Sequence, residues 1–314
     1  MSSTTTPPAG VTVTVNVPNP VVEGQPSRRA GTRATSTSRR PAQDRTVSFA
    51  ELKHSTKFPP DDENADWIVL SDDGVLFGLH AANAEICSDK IYDLSSPDVS
   101  NDNLEWHIRI NAPENVLELL FEYLYNKRRM NLESISIDLL VKLVYAAEEY
   151  GVRSAIDACQ KALRKHIHEN ALKVLQVSSK FDYRDEIIKA AVYLVDEDLP
   201  VVGANLSKHL HMPFSIYREQ FTSAHLYALE ACPEHPDCLF WPGLVLATLK
   251  TLRGKPRRVL NKTEKIFHEA VEKTMLAQGP NACCIGYLRY WGQCIMAQRS
   301  KIGLLEIPTG EKQE

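Results

Sequence analysis

Cys232, His235 and Cys238 lie in the run Cys232-Pro233-Glu234-His235-Pro236-Asp237-Cys238, a C-x2-H-x2-C spacing. Thiolates and an imidazole so placed can turn toward one ion, and tetrahedral zinc takes that donor set. Cys283, Cys284 or Cys294 would have to complete the shell. Paired zinc knuckles normally repeat their spacing, and the second half here is irregular. Cysteine is also among the most buried residues of ordinary cores. Packed or exposed free thiols are therefore the default reading, and no metal or cofactor is assigned.

Other chemistry is harder to find. An enzyme needs a nucleophile, a base or a metal in a shaped site. The chain has no Gly-rich phosphate loop, no G-x-S-x-G elbow and no dinucleotide-binding fingerprint. His268-Glu269-Ala270-Val271-Glu272 opens like a zinc-protease helix, but Glu272 stands where the second histidine belongs. His166 and His168 flank Ile167 near an expected helix end, where a histidine meets the dipole favourably without further function. Lys250, Arg253, Lys255, Arg257, Arg258, Lys262 and Lys265 make a basic stretch. It lacks the interleaved aromatic residues or recognition helix of a nucleic-acid surface, so a solvated loop is expected. No catalytic residue is assigned, and the chain is read as a non-enzyme.

The elements that must carry these residues follow from composition and periodicity. At 314 residues and 43% apolar, the chain has room for two modest domains. Its longest apolar run, Cys238 to Leu249, is broken by Pro242 and Gly243, so no bilayer span or membrane partner is expected. The N-terminus lacks a charged cap before an apolar core, which argues against a secretory signal. Seven cysteines without a regular framework suit a reducing compartment, cytoplasm or nucleus.

Residues 1–48 contain no aromatic residue, no Leu and no Ile, and are rich in Ser, Thr, Pro and Arg. Such a segment buries too little apolar surface to offset backbone entropy, so a disordered basic tail is expected. Val11–Val17 alternates with β character but has no evident partner strand. The first 45 residues carry a net +4, leaving −8 on the rest. A basic tail on an acidic body most simply solubilises it.

Order is expected from Phe49. Trp67–Leu70 and Val75–Phe77 flank an Asp-Gly turn and read as a hairpin. Glu105–Ile110 alternates, with Trp106, Ile108 and Ile110 on one face of a half-buried strand. From Pro113, taken as a first helical position, the period becomes helical: Val116, Leu119, Leu120, Tyr123 and Leu124 share a face. Asp138 is the expected cap of a helix that buries Leu140, Leu143, Val144 and Ala147 and stops at Gly151. Ser154 opens a helix with Ala155, Ala158, Cys159 and Ala162 inward, and Asn170 begins another. Asp185–Val195 follows, stopped by Pro200. Strands first and helices after predict an α+β domain followed by an all-α extension. Beyond residue 231, a buried helix is expected around Trp241, Leu244, Leu246, Leu249 and Leu252. An amphipathic helix with Ile266, Ala270, Val271 and Leu276 inward should follow, then a third with Tyr287, Tyr290 and Trp291. Thr309–Glu314 should fray.

In this order the pieces resemble a BTB/POZ domain. Asp66 precedes the apolar run Trp67-Ile68-Val69-Leu70, and Phe77-Gly78-Leu79 leads into His80. Leu119-Leu120-Phe121-Glu122-Tyr123-Leu124-Tyr125 is similar to the family's Leu-Leu helix signature. Ala146-Ala147-Glu148-Glu149-Tyr150-Gly151-Val152 through Cys159 is similar to its closing helices. The resemblance covers about residues 60–165, and the chain's general character is similar to that of the large BTB families of filamentous fungi. The resemblance implies a BTB/POZ-like domain over 49–168 and a helical BACK-like extension over 169–230; residues 231–314 resemble no family and read from their periodicity as a helical C-terminal region with Cys and His.

The resemblance also implies a function: a protein–protein interaction module that homodimerises through the helices near 80–95 and the first strand. Such modules serve as adaptors that present substrates to a cullin-based ubiquitin ligase, or as self-associating scaffolds or nuclear regulators without a cullin. Asp66 and His80 are the signature positions, mainly structural; Tyr125 and Leu94 are the candidate partner contacts. Two departures stand out. Ala81 follows the histidine where the family usually has Lys or Arg. Asn103-Leu104-Glu105 lacks the hydrophobic residue of the hydrophobic-x-Glu element found in cullin adaptors. Cys87 and Cys159 are expected in the core.

Overall fold

The structure, a computed structural model, describes residues 12–15, 45–48, 52–91, 107–125 and 130–308. Strands β1 (Thr12–Val15) and β2 (Arg45–Ser48) pair antiparallel, Val13 opposite Val47, so the β character near Val11–Val17 does find a partner. The rest of the expected tail, the Glu105–Trp106 start of the third strand, Leu94 and the expected fraying at 309–314 lie outside the described residues. The described chain is mixed α+β and mostly helical, with one four-stranded sheet besides the β1–β2 pair. No described helix is long and apolar enough to cross a membrane.

Two compact units are present: residues 1–131 with 141–159, and residues 132–140 with 160–314. In the first, the expected hairpin forms as β4 (Trp67–Ser71) and β5 (Val75–Leu79), antiparallel with Val69 opposite Phe77. Gly74 turns it at φ +82°, a backbone region that costs other residues energy. A parallel strand lies on each side: β3 (Lys53–His54) beside β5, and β6 (His107–Ile110) beside β4. All five β5 residues are buried, as are Trp67, Val69, Leu70 and Ser71 of β4. Near-continuous burial of this sort marks strands covered on both faces.

The hairpin turn also starts a helix. Both Asp73 carboxylate oxygens lie 3.0 Å from the Glu114 N–H, at the N-terminus of α2 (Glu114–Phe121). A carboxylate there satisfies an orphan donor and complements the helix dipole. Pro113 is thus the residue before the helix, not its first. The expected face Val116, Leu119, Leu120, Tyr123 and Leu124 is buried, the last two in a 3-10 turn at Glu122–Leu124. Phe121 meets Phe58 and Phe77 edge-on, ring centroids 6.0 and 5.3 Å apart.

In α3 (Ile137–Tyr150), Leu140, Leu143, Val144 and Ala147 are buried as the periodicity requires, and Gly151 ends it at φ +65°. The cap is Ser136, whose Oγ accepts the Leu139 N–H; Asp138 sits in the first turn and pairs with Lys173 instead. The two helices expected from Ser154 and Asn170 run together over Arg153–Phe181 (α4) and are separated by a break at Asn170, whose backbone is non-helical at φ −129°, ψ 36°. Ala155, Cys159 and Ala162 are buried on it, and Ala158 is half-buried. Cys87, expected in the core, is also half-buried, its thiol facing the Leu124 carbonyl at 3.7 Å.

In the second unit α5 (Arg184–Leu194) runs as expected, but Pro200 does not merely stop it: Pro200 stands in the first turn of α6 (Leu199–Ala204). Helices α7 (His211–Glu230), α8 (Trp241–Leu252), α9 (Pro256–Gln278) and α10 (Cys284–Arg299) pack together, with α9 touching the other three. Trp291 lies at the centre, fully buried, its indole N–H donating to the Ala228 carbonyl at 3.0 Å. Gly292 lets the Phe267 ring close on this point: a Cβ there would meet Phe267 Cγ at 2.9 Å. Buried Asp196 caps α9, accepting the Arg257 and Arg258 N–H groups at 2.9 and 3.1 Å.

Three expectations for this region are corrected. Helix α8 is not buried: Trp241, Thr248 and Leu252 are, while Leu246 is 56% exposed. The inward face of α9 is Val259, Leu260, Thr263, Phe267, Val271 and Thr274, and Leu276 is 88% exposed. The basic stretch expected as a loop is largely helical, in the ends of α8 and α9.

Gly78 gives the sharpest test of the sheet. A Cβ there would lie 2.4 Å from the Pro59 carbonyl oxygen and 2.9 Å from Pro60 Cα, both backbone atoms. Gly78→Ala is therefore expected to destabilise the full chain by about 1–3 kcal/mol in urea unfolding, as overpacking does; an unchanged midpoint would show that the Pro59–Pro60 segment yields freely.

Candidate functional site

The signature residues Asp66, His80 and Tyr125 converge where β5 hands the chain to α1 (Ala81–Cys87). Asp66 Oδ1 accepts the Ala81 N–H at 2.7 Å, so a carboxylate just before β4 holds the first amide of the helix that follows β5. The Tyr125 phenol accepts the His80 N–H at 3.1 Å and lies 3.0 Å from His80 Nδ1. Burial pushes the phenol above its usual pKa, so the oxygen keeps its proton. Phe58 lies against the Tyr125 ring at 5.5 Å. The cluster clasps the strand–helix junction.

Tyr125, read from sequence as a partner contact, is half-buried and its hydroxyl is engaged within the chain. Helix α1 behaves differently. Ala84 is its buried residue, while Ala82, Glu85 and Ile86 are exposed, Ile86 by 82%. Arg153 and Asp89 pair at 2.9 Å on the segment after it.

The Cys/His run gathers a different set from the one its spacing suggested. His235, Cys238, Cys283 and Cys284 each present a donor atom, and the four atoms lie within 4.8 Å of one another. His235 and Cys238 come from the loop between α7 and α8; Cys283 and Cys284 stand at the start of α10. The Cys238 and Cys284 sulfurs are 3.0 Å apart, and those of Cys283 and Cys284 3.9 Å. Burial and its neighbouring sulfurs push the Cys284 thiol up to about 12, whereas the hydrogen bond shared with Cys284 lowers Cys238. The His235 ring stacks on Tyr287 at 4.1 Å and meets Trp241 edge-on at 5.9 Å. Cys232 is not in the cluster, its thiol facing the Pro233 carbonyl at 3.7 Å, and neither is Cys294.

The other histidines singled out in the sequence, His166, His168 and His268, stand outside both groups. His268 pairs with Glu272 at 3.5 Å on the exposed side of α9. His168 packs edge-on against Tyr193, and His166 and His168 lie in the last turn before the break in α4 at Asn170, the helix end expected for them.

Tyr125→Phe keeps the ring and removes the hydroxyl that serves both His80 groups. The expected loss is about 1–3 kcal/mol of stability, the usual result of stranding partly buried partners. A thermal or urea midpoint identical to the parent chain would show that the clasp contributes nothing.

No family model matches the chain, and no curated protein matches it.

Proposed function

We propose that the chain is a protein–protein interaction module of the BTB/POZ type that pairs with a second copy of itself through α1 and serves as a self-associating scaffold. The observation that carries this reading is the Asp66–His80–Tyr125 clasp. Three positions that the resemblance singled out, far apart in sequence, meet at one strand–helix junction through three hydrogen bonds. The order of elements supports it as well: a hairpin, a helix entered at a histidine, a strand parallel to the first, and then helices.

Self-association follows from what the clasp presents. It fixes a seven-residue helix whose outer side carries Ile86, and burying such a side chain is worth roughly 1.5–3 kcal/mol. In a two-fold contact each copy contributes that residue, so a single site counts twice. Of the two uses of such a dimer, the cullin adaptor needs a free contact near Tyr125, and the scaffold does not. The engagement of the Tyr125 hydroxyl by His80 favours the scaffold.

The full chain is expected to run as a dimer in light scattering, about twice its 35.3 kDa mass, and Ile86→Glu as a folded monomer. A monomeric parent chain, or a dimer indifferent to Ile86→Glu, would overturn the α1 contact. Capture of a cullin subunit by the tagged full chain, lost in Ile86→Glu or not, would move the assignment from scaffold to ligase adaptor.

A further inference from the structure

We propose that His235, Cys238, Cys283 and Cys284 form a structural zinc site, in which one divalent ion ties the loop before α8 to the first turn of α10. The inference rests on the second unit alone and is independent of the dimer reading.

Three observations carry it. The first is the donor set: three sulfurs and one imidazole nitrogen mutually within 4.8 Å. A tetrahedral ion with metal–sulfur bonds near 2.3 Å has sulfur–sulfur edges of about 3.8 Å. The Cys283–Cys284 pair, at 3.9 Å, is at that spacing already. The Cys238–Cys284 pair, at 3.0 Å, must open by about 0.8 Å to reach it, a small side-chain adjustment. The second is an orphan: His235 Nε2 is shielded from solvent and has no hydrogen-bond partner. A buried imidazole nitrogen left so is costly unless something binds it. The third is support around the donors. Stacking on Tyr287 fixes the His235 ring plane, and the Trp241 indole N–H holds the Pro233 carbonyl at 3.0 Å, pinning the loop two residues before His235.

Thiolate and imidazole donors select zinc among abundant divalent ions, and four protein ligands leave no open position, so the site is structural and not catalytic. Binding deprotonates three thiols, releases three protons to solvent, and leaves a centre of net charge −1. The site also has a structural consequence. The loop it anchors forms one wall of an open groove of about 600 Å³ lined by Cys232, Pro233, His235, Trp241, Leu246 and Leu249, so metal would set the shape of that groove.

The test is metal analysis of the full-length chain purified under reducing conditions without chelator. About one zinc per chain is expected, retained in Cys232→Ser and Cys294→Ser and lost in Cys238→Ser. Cys283→Ser guards against mere misfolding, because Cys283 is exposed; it should also lose zinc, with the circular dichroism unchanged. Cobalt(II) added to the chelator-treated chain should give the visible absorption of a tetrahedral thiolate site, saturating at one per chain. The proposal is overturned by a zinc-free reduced chain that shows no such spectrum, or by zinc that survives both Cys238→Ser and Cys283→Ser. It is equally overturned if peptide mapping of the chain alkylated before reduction shows a Cys238–Cys284 disulfide.

Discussion

The first unit depends on a hairpin with a carboxylate at each end. Asp66, just before β4, holds the first amide of α1; Asp73, in the turn, holds the first amide of α2. Each bond satisfies a helix N-terminal donor that would otherwise compete for water, and each places negative charge at the positive end of a helix dipole. The hairpin is buried almost throughout, so its position is set by packing, and the two acids transmit that position to the helices. Ser71 tightens the turn between them: its Oγ accepts the Val75 N–H at 2.7 Å and donates to Asp73 at 2.6 Å. The candidate surface on α1 is therefore presented by a rigid base, although α1 itself is short and lightly buried.

The second unit is organised by a buried side chain instead of a sheet. Trp291 is fully enclosed, and its indole N–H is satisfied by a carbonyl of another helix. This single bond fixes how α10 lies against α7, while Gly292 allows α9 to approach through Phe267. Asp196 repeats at α9 the device used at α1 and α2, a carboxylate from outside the helix accepting its first amides. With α10 so placed, Cys283 and Cys284 reach the loop that carries His235 and Cys238.

Where local chemistry decides the structure, the sequence was readable. An Asp-Gly pair between β-prone runs, a glycine at the end of α3, and the inward face of Leu140, Leu143, Val144 and Ala147 all follow from short-range rules. Helix α9 was misphased for a definite reason. Two of its inward residues are Thr263 and Thr274, which hide their hydroxyls by bonding back to the Val259 and Ala270 carbonyls. They look polar in the pattern but behave as core, and the apolar Leu276 is left outside. Strand β3 is two exposed residues whose pairing exists only because β5 is there. The choice of Cys283 and Cys284 over Cys232 and Cys294 depends on where α10 begins relative to a loop more than forty residues earlier, which no spacing rule encodes.

The claim that most needs a direct reading is that α1 is a contact surface and not a solvent-facing turn. Hydrogen–deuterium exchange of the full chain, followed by mass spectrometry over peptides spanning 81–87 across a dilution series, measures this. The account predicts that these amides are protected in concentrated protein and lose protection on dilution, while amides of β5 do not change. Fast exchange at 81–87 at every concentration would contradict it.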